Sequence, residues 1–225
     1  MRIDVFTLFP DWFDFFRGQR HVQNALAKGL QFETISYRET TPLSGGQVDD
    51  TPYGGGVGMV IRVDVVEAAL GARYGDADVR SRGRVIAFAA GGRQFDDALA
   101  GELAEESSIT MLCGRYEGLD ERVHEALASD VISIGPYVVA GGELPAMIVC
   151  DAVIRKLPGA LGHADSALEE SFSAALEGGP EYPHYTRPAT WRGLEVPEIL
   201  LSGDHARIRE WRLEQSRARA RDRRA

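Results

Sequence analysis

The chain has 225 residues, 44% hydrophobic and 26% charged, the make-up of a globular protein long enough for one large domain or two small ones. No apolar run approaches a membrane span and the opening MRIDVFTLFPDWF lacks the basic-then-apolar build of a secretion signal, so a cytoplasmic location and no membrane partner are expected. The net charge of −9 would speak against a nucleic-acid partner only if it were evenly spread; from Arg207 onward the chain is strongly basic.

The first strand signal runs from Ile3 to Leu8. The stretch DDTPYGGGVGM, residues 49–59, is dense in glycine, but no strand feeds it, its spacing is not a dinucleotide fingerprint and the chain has no Gly-Lys pair for a P-loop. A tightly turned loop is its ordinary meaning. Further strand signals run from Gly83 to Ala90, Ser108 to Cys113 and Asp130 to Ile134. Between them Phe95, Leu99 and Leu103, then Leu119, Val123 and Leu127, recur every four residues, each set forming one apolar helix stripe. Alternating strands and helices predict an α/β fold, a parallel sheet with helices on both faces. Ligands of such sheets sit at the carboxyl ends of the strands, here the loops beginning at Ala89, Gly114 and Gly135.

The next helix starts after Gly141-Gly142, carries Pro145 in its first turn and is stopped by Pro158-Gly159. Its body, AMIVCDAVIRKL, is apolar nearly all round, which predicts burial on most sides. Asp151 and Arg155 share one face of it; either the aspartate neutralises the arginine or the arginine faces a site, and the pattern leaves both open. Three units are expected: a domain over 1–160, a flexible linker over 161–170 and a small helical C-terminal domain over 171–225. In the linker Ser166 and Glu169 have capping-box spacing, which occupies Glu169 and leaves Glu170 without a structural role. The last unit has core candidates Phe172, Leu176, Leu194, Ile199, Leu200, Ile208 and Trp211, with Asp204 placed to cap the final helix. Cys113 and Cys150 suit buried free thiols, and no histidine spacing suggests a metal.

Two segments carry most of the chemistry. CGRYEGLDERV, residues 113–123, leaves a strand through Gly114 and turns again at Gly118; SIGPYVVAGGELPAM, residues 133–147, leaves one through Gly135 and turns through Gly141 and Gly142 into a helix. Glycine lets backbone approach a ligand closely, so two such turns at one sheet edge suit a flat heterocycle held by main-chain groups. The arginine-rich end, with Trp211 inside it, suits phosphate and base contacts, although by itself a solvated tail is its simpler meaning.

These segments, with LFP (8–10), DDTPYGGGVGM, LPGALGH (157–163), HYTRP (184–188), VPEILLSGDHARIREWR (196–212) and QSRAR (215–219), resemble in order the bacterial tRNA (guanine-N1)-methyltransferases of the SPOUT class, which modify guanosine 37. The resemblance implies a deep trefoil knot in the sheet domain, S-adenosylmethionine as methyl donor, a homodimer with each active site at the subunit interface, and tRNA bound by the second domain and basic end. It places the donor against Ala89, Ala90, Gly114, Tyr116, Ile134, Gly135, Pro136, Tyr137, Val138, Val139, Gly141 and Gly142. It matches Arg155 to the family arginine at guanine O6 and Glu117 to a glutamate near the reacting groups. Magnesium is implied too, without a ligand set.

The chain departs from the family in four places, of which Val57 for a frequent proline in the glycine loop is minor. The family's Ser-Ala-x-x-Asp-Ser-Phe reads here Ser166-Ala-Leu-Glu-Glu-Ser-Phe172, so Glu170 stands where the aspartate base belongs. Ala89-Ala90 replaces a Ser-Pro or Thr-Pro pair, and Pro136 replaces an aspartate. A dinucleotide-dependent oxidoreductase would need a glycine fingerprint after an early strand, which is absent; a non-catalytic RNA-binding or ribosome-associated protein would leave Arg155, Glu117 and the paired turns idle.

Overall fold

The computed structural model describes residues 1–75, 78–162 and 170–222. They fall into two compact units, Met1–Leu161 and Gly162–Ala225. In the first, in chain order, lie β1 (Arg2–Thr7), α1 (Phe13–Arg17), α2 (Arg20–Ala27), β2 (Gln31–Ser36), α3 (Tyr37–Thr40), β3 (Asp49–Asp50), β4 (Val60–Ile61), α4 (Val63–Tyr74), β5 (Arg84–Gln94), α5 (Asp97–Ala104), β6 (Ser108–Leu112), β7 (Asp130–Ser133) and α6 (Glu143–Lys156). Five strands pair in the order β2-β1-β6-β5-β7, all parallel.

Period-two side-chain direction explains why both faces are covered. Ile3 and Val5 of β1, Ile109 and Met111 of β6, Ile86 of β5 and Ile132 of β7 pack with α2, α5 and α6. Their neighbours Phe6, Leu112, Val85 and Ala87 point the other way into a second core with Val65, Val66, Ala69 and Leu70 of α4. Asp4 is fully buried on that second face and takes bonds from Arg73 (2.9 Å) and Tyr74 (2.7 Å) of α4 and from Arg2 (2.8 Å). Cys113 and Cys150 are buried free thiols, and burial pushes both up in pKa.

Two expectations change and a third is refined. A fifth strand, β2, reads too weakly in the sequence because its outward residues are polar at an edge (QFETIS). The helix expected over Leu119, Val123 and Leu127 is reduced to a single π-turn, Val123–Leu127, because Leu119 is drawn off to bridge Ile61. The burial expected for α6 on most sides leaves one stripe open: Leu144 and Ile148 are 52% and 45% exposed, while its other faces carry seven buried residues. Two-residue strands β3 and β4 flank the glycine loop, where Gly54, Gly55, Gly56 and Gly58 all take positive φ, the tight turning that only glycine adopts freely.

The second unit holds a two-stranded hairpin, β8 (Thr190–Trp191) and β9 (Leu194–Glu195), then α7 (Glu198–Leu201) and α8 (His205–Asp222). Arg192 and Gly193 turn the hairpin with positive φ at both positions, the geometry of a tight two-residue turn. Asp204 caps α8 through the amides of Ala206 and Arg207, both at 3.2 Å. The arginine-rich end is therefore a helix as far as Asp222, not a loose tail. Arg217 forks onto Glu177 (3.0 and 2.6 Å), Arg219 reaches the Glu181 carbonyl (2.8 Å) and Arg212 lies over the Tyr182 ring at 4.7 Å. Among the core candidates Leu176 is buried, whereas Phe172 and Leu194 are 46% and 68% exposed; Tyr182 and Ser216 are the buried members the pattern missed.

Candidate active site

The carboxyl ends of β5, β6 and β7 surround a cavity of about 410 Å³. Ala89, Ala90, Gly114, Tyr116, Glu117, Ile134, Gly135, Tyr137, Val138, Val139, Gly141 and Gly142 all line it. Ala89 and Ala90 are not a loop beyond a strand, as expected, but an excursion within β5: Ile132 of β7 pairs with both Phe88 and Arg93, so residues 89–92 bulge out at the cavity rim. Pro136 does not line the cavity. The amide of Tyr137 donates to the Gly135 carbonyl at 2.9 Å, a three-residue turn that leaves Pro136 exposed at its centre.

Glycine is needed where the two turns meet. The Gly142 amide donates to the Gly114 carbonyl at 2.8 Å, and a Cβ at Gly142 would lie 2.6 Å from the Cys113 Cα. Arg115 forms backbone bridges to both Gly118 and Gly141. Tyr116, between them, takes φ 59°, the left-handed region that a bulky residue rarely adopts.

The glycine loop, without assigned chemistry in the sequence, reaches this site. Its end pairs with the first turn, the Glu117 amide donating to Met59 (3.0 Å) and the Ile61 amide to Gly118 (3.0 Å). Gly58 sits against the Glu117 side chain so closely that a Cβ would lie 2.5 Å from Oε1. Beside it opens a second hollow of about 1180 Å³, sharing Leu119 and Glu121 with the first. Its charges are largely matched within its wall: Arg62 pairs with Asp64 and Arg122 with Asp120, both at 2.7 Å, and these bonds hold the two carboxyls below their ordinary pKa.

Sequence reasoning also missed Arg115 and Glu143. Glu143, the first residue of α6, is 1% exposed, and its Oε1 accepts from the Thr7 hydroxyl at 2.9 Å. Its Oε2 is buried without a hydrogen bond, 3.7 Å from Arg115 Nη1. The Arg115 guanidinium lies over the Phe9 and Trp12 rings at 4.9 and 5.2 Å, which themselves stack at 5.1 Å. The available signal was a glutamate between two glycines and a proline in an otherwise apolar segment.

Arg155 sits in the last turn of α6 and does not line the cavity; Glu170 belongs to the second unit. Asp151 turns to His21 of α2, Oδ1 to Nε2 2.8 Å, a contact by distance in which the ring N–H is not aimed for a hydrogen bond. It is thus engaged with the sheet domain's own histidine. Ser166 and Glu169, the expected capping pair, lie outside the described residues. No three histidine, cysteine or carboxylate side chains cluster as a metal site among the described residues. No helix there is long and apolar enough to cross a membrane.

Comparison with known proteins covers the whole chain. The model of the family described as tRNA (Guanine-1)-methyltransferase TrmD matches residues 1–225. Proteins named tRNA (guanine-N(1)-)-methyltransferase from Brevibacillus brevis and Shouchella clausii are 47% and 46% identical over 225 residues, 100% of this chain and 90% of theirs. One from Pelotomaculum thermopropionicum is 47% identical over 228 residues, 88% of its length. With two glycine turns closing on one sheet edge and a match from first residue to last, the chain belongs to the tRNA (Guanine-1)-methyltransferase TrmD family.

Proposed function

We infer that the protein transfers a methyl group to N1 of guanine in tRNA, at guanosine 37, and that the cavity between the two glycine turns holds S-adenosylmethionine. The observation that carries the reading is the cavity itself: about 410 Å³ is within the range of small-molecule sites, and its walls are largely backbone and apolar groups, joined by Arg115, Glu121, His124 and the carboxylate of Glu117. Main-chain groups freed by glycine suit the adenine, and the carboxylate suits the positive end of the molecule. When bound, the donor supplies a methyl already activated on a sulfonium.

The work left to the protein concerns the guanine. N1 carries a proton, and its lone pair becomes nucleophilic as that proton leaves. Glu170 is proposed to take the proton. Arg155 is proposed to stabilise the negative charge that grows on O6, and Glu117 to lie near the reacting groups. The proton passes from N1 to the carboxylate while the new N1–carbon bond forms, so the methylated guanine ends neutral. No step is routed through magnesium, for which the described residues offer no cluster.

The active site is proposed to be shared between two copies. Leu144, Ile148, Asp151 and Arg155 succeed one another at helical spacing, so the exposed apolar stripe of α6 runs into the proposed catalytic arginine. The exposed Phe15, 80% accessible, and Trp12 add apolar surface in the same unit. The segment between β6 and α6 is proposed to thread the trefoil knot, supported by the contacts of Gly142 with Gly114 and Cys113. The second unit is proposed to hold tRNA, with Arg207, Arg209 and Arg221 on the exposed faces of α8.

Methyl transfer to transcripts carrying G or A at position 37 tests the function. Product from the guanine transcript alone is expected, with Glu170→Gln slower by about a hundredfold or more, the usual loss of a general base. A Glu170→Gln enzyme of full activity would remove the glutamate from the mechanism.

A further inference from the structure

The buried carboxylate of Glu143 has no counterpart in the chemistry above. It does not line the donor cavity, yet one of its oxygens is buried without a hydrogen bond. A buried ionised group left half satisfied is costly, so its surroundings need an explanation. Those surroundings join three separate parts of the chain. Oε1 is tied to Thr7 at the end of β1, Oε2 faces Arg115 of the first turn, and the backbone belongs to the start of α6. Thr7 also accepts from the Phe9 amide at 2.9 Å, which fixes the segment whose rings cradle Arg115. Gly141 leaves the passage open: a Cβ there would lie 2.6 Å from Glu143 Oε2 and 2.8 Å from Arg115 Cδ.

Arg115 immediately precedes Tyr116, whose φ of 59° persists only if its neighbours over-determine it. The backbone bridges of Arg115 do part of this. Its side chain, packed over the stacked Phe9 and Trp12 rings and drawn towards Glu143, does the rest.

We propose that Glu143 is a positioning residue: acting through Arg115, it holds the turn bearing Tyr116 and Glu117 in the shape that receives the methyl donor. The inference rests on the reading that this cavity is the donor site. It assigns Glu143 a role in donor affinity, not in the bond-making step. Without the charge, Arg115 is released, Tyr116 relaxes to negative φ, and donor binding must restore the strained turn. The carboxylate's other neighbour, Tyr37, is fully buried; burial, with Cys113 and Glu143 adding to it, raises its hydroxyl pKa, so it stays a neutral phenol and Arg115 is the cation beside Glu143.

Steady-state kinetics on the full-length enzyme test this. Glu143→Gln keeps the shape and the bond from Thr7 but loses the charge. Its KM for S-adenosylmethionine is expected to rise about tenfold with kcat within about threefold, since a re-ordering cost of about 1.4 kcal/mol falls on binding. Arg115→Gln should match it, and the double variant should be no worse than the poorer single, as for two ends of one contact. In a Tyr116→Gly background, where positive φ is free, Glu143→Gln should change KM less than about threefold. Unchanged KM in Glu143→Gln, additive effects, or an equal rise in the Tyr116→Gly background overturns the proposal. If Glu143→Gln does not fold, Arg115→Gln in the two backgrounds gives the same decision. Ala89→Trp, which fills the cavity from its wall, separates the two readings by calorimetry: donor binding that survives it refutes the cavity assignment, whereas binding lost there but unaltered in Glu143→Gln refutes only the role of Glu143.

Discussion

Asp130 illustrates how single charges hold the sheet at the end away from the cavity. At the start of β7 it receives two bonds from Arg84, 2.7 and 2.6 Å, and one from Ser129 at 3.0 Å. Burial raises the pKa of its carboxyl, but the bonds from Arg84 and Ser129 outweigh burial and hold it below the ordinary value. A lowered folded pKa means stability that is present above the unfolded value, about 3.9, and lost as pH falls through the folded one. Asp130→Asn is expected to cost about 1–2 kcal/mol at neutral pH, with the gap to the unsubstituted protein closing below about pH 4. Thermal melts across pH 3–7 read both, and a gap independent of pH would show that the carboxylate charge contributes nothing.

Residue identity also explains what could be read without a structure. Gly114, Gly135, Gly141 and Gly142 announce close backbone passage, because no other residue is so often placed where a Cβ does not fit. Glu143 and Arg115 announce nothing, since a buried ion pair is spelled with the same letters as two surface charges. Only the 1% exposure of Glu143 and the rings over Arg115 separate the cases.

At the scale of elements, the site is made by strand ends and by the turns just beyond them. Strands β1, β5, β6 and β7 are legible because their buried faces require runs of apolar residues. The segments leaving those strands are not legible in the same way: β5 continues past Ala90 through a bulge, and the pattern after β6 becomes a turn with one π-helical turn. In both places a partner distant in sequence, Ile132 or Ile61, overrides local periodicity. The seam between the turns should tolerate no extra atom. Gly142→Ala puts a methyl 2.6 Å from the Cys113 Cα and 2.9 Å from the Gly114 amide, both backbone. A loss of about 1–3 kcal/mol and weaker donor binding are expected, measurable by denaturation and calorimetry. Unaltered values in both would mean the two turns can separate at no cost.

For the whole molecule, the unfinished surface of α6 is the main consequence. Leu144 and Ile148 stay half exposed on a helix whose other faces supply seven buried residues to the unit. A Leu144→Asp, Ile148→Asp enzyme is expected to sediment as a monomer and to lose methyl transfer, because the proposed arginine lies on the same stripe. A dimer of undiminished size and activity would move the interface elsewhere. The acidic total of −9 and the basic C-terminal helix are likewise properties of different scales. The sum governs solubility, while the local cluster governs the proposed RNA contact.

The amino-acid sequence alone determined the α/β class, most of the strands and the glycine turns, and through its ordered motifs the family. Each of these is written in short-range patterns of burial and backbone permission. Tertiary structure decided which distant segments those turns meet: Gly58 against Glu117, Gly142 against Cys113, Glu143 between Thr7 and Arg115. Such contacts depend on where the sheet brings chain ends together, across up to 136 residues for Thr7 and Glu143, and no local pattern encodes a distance of that kind.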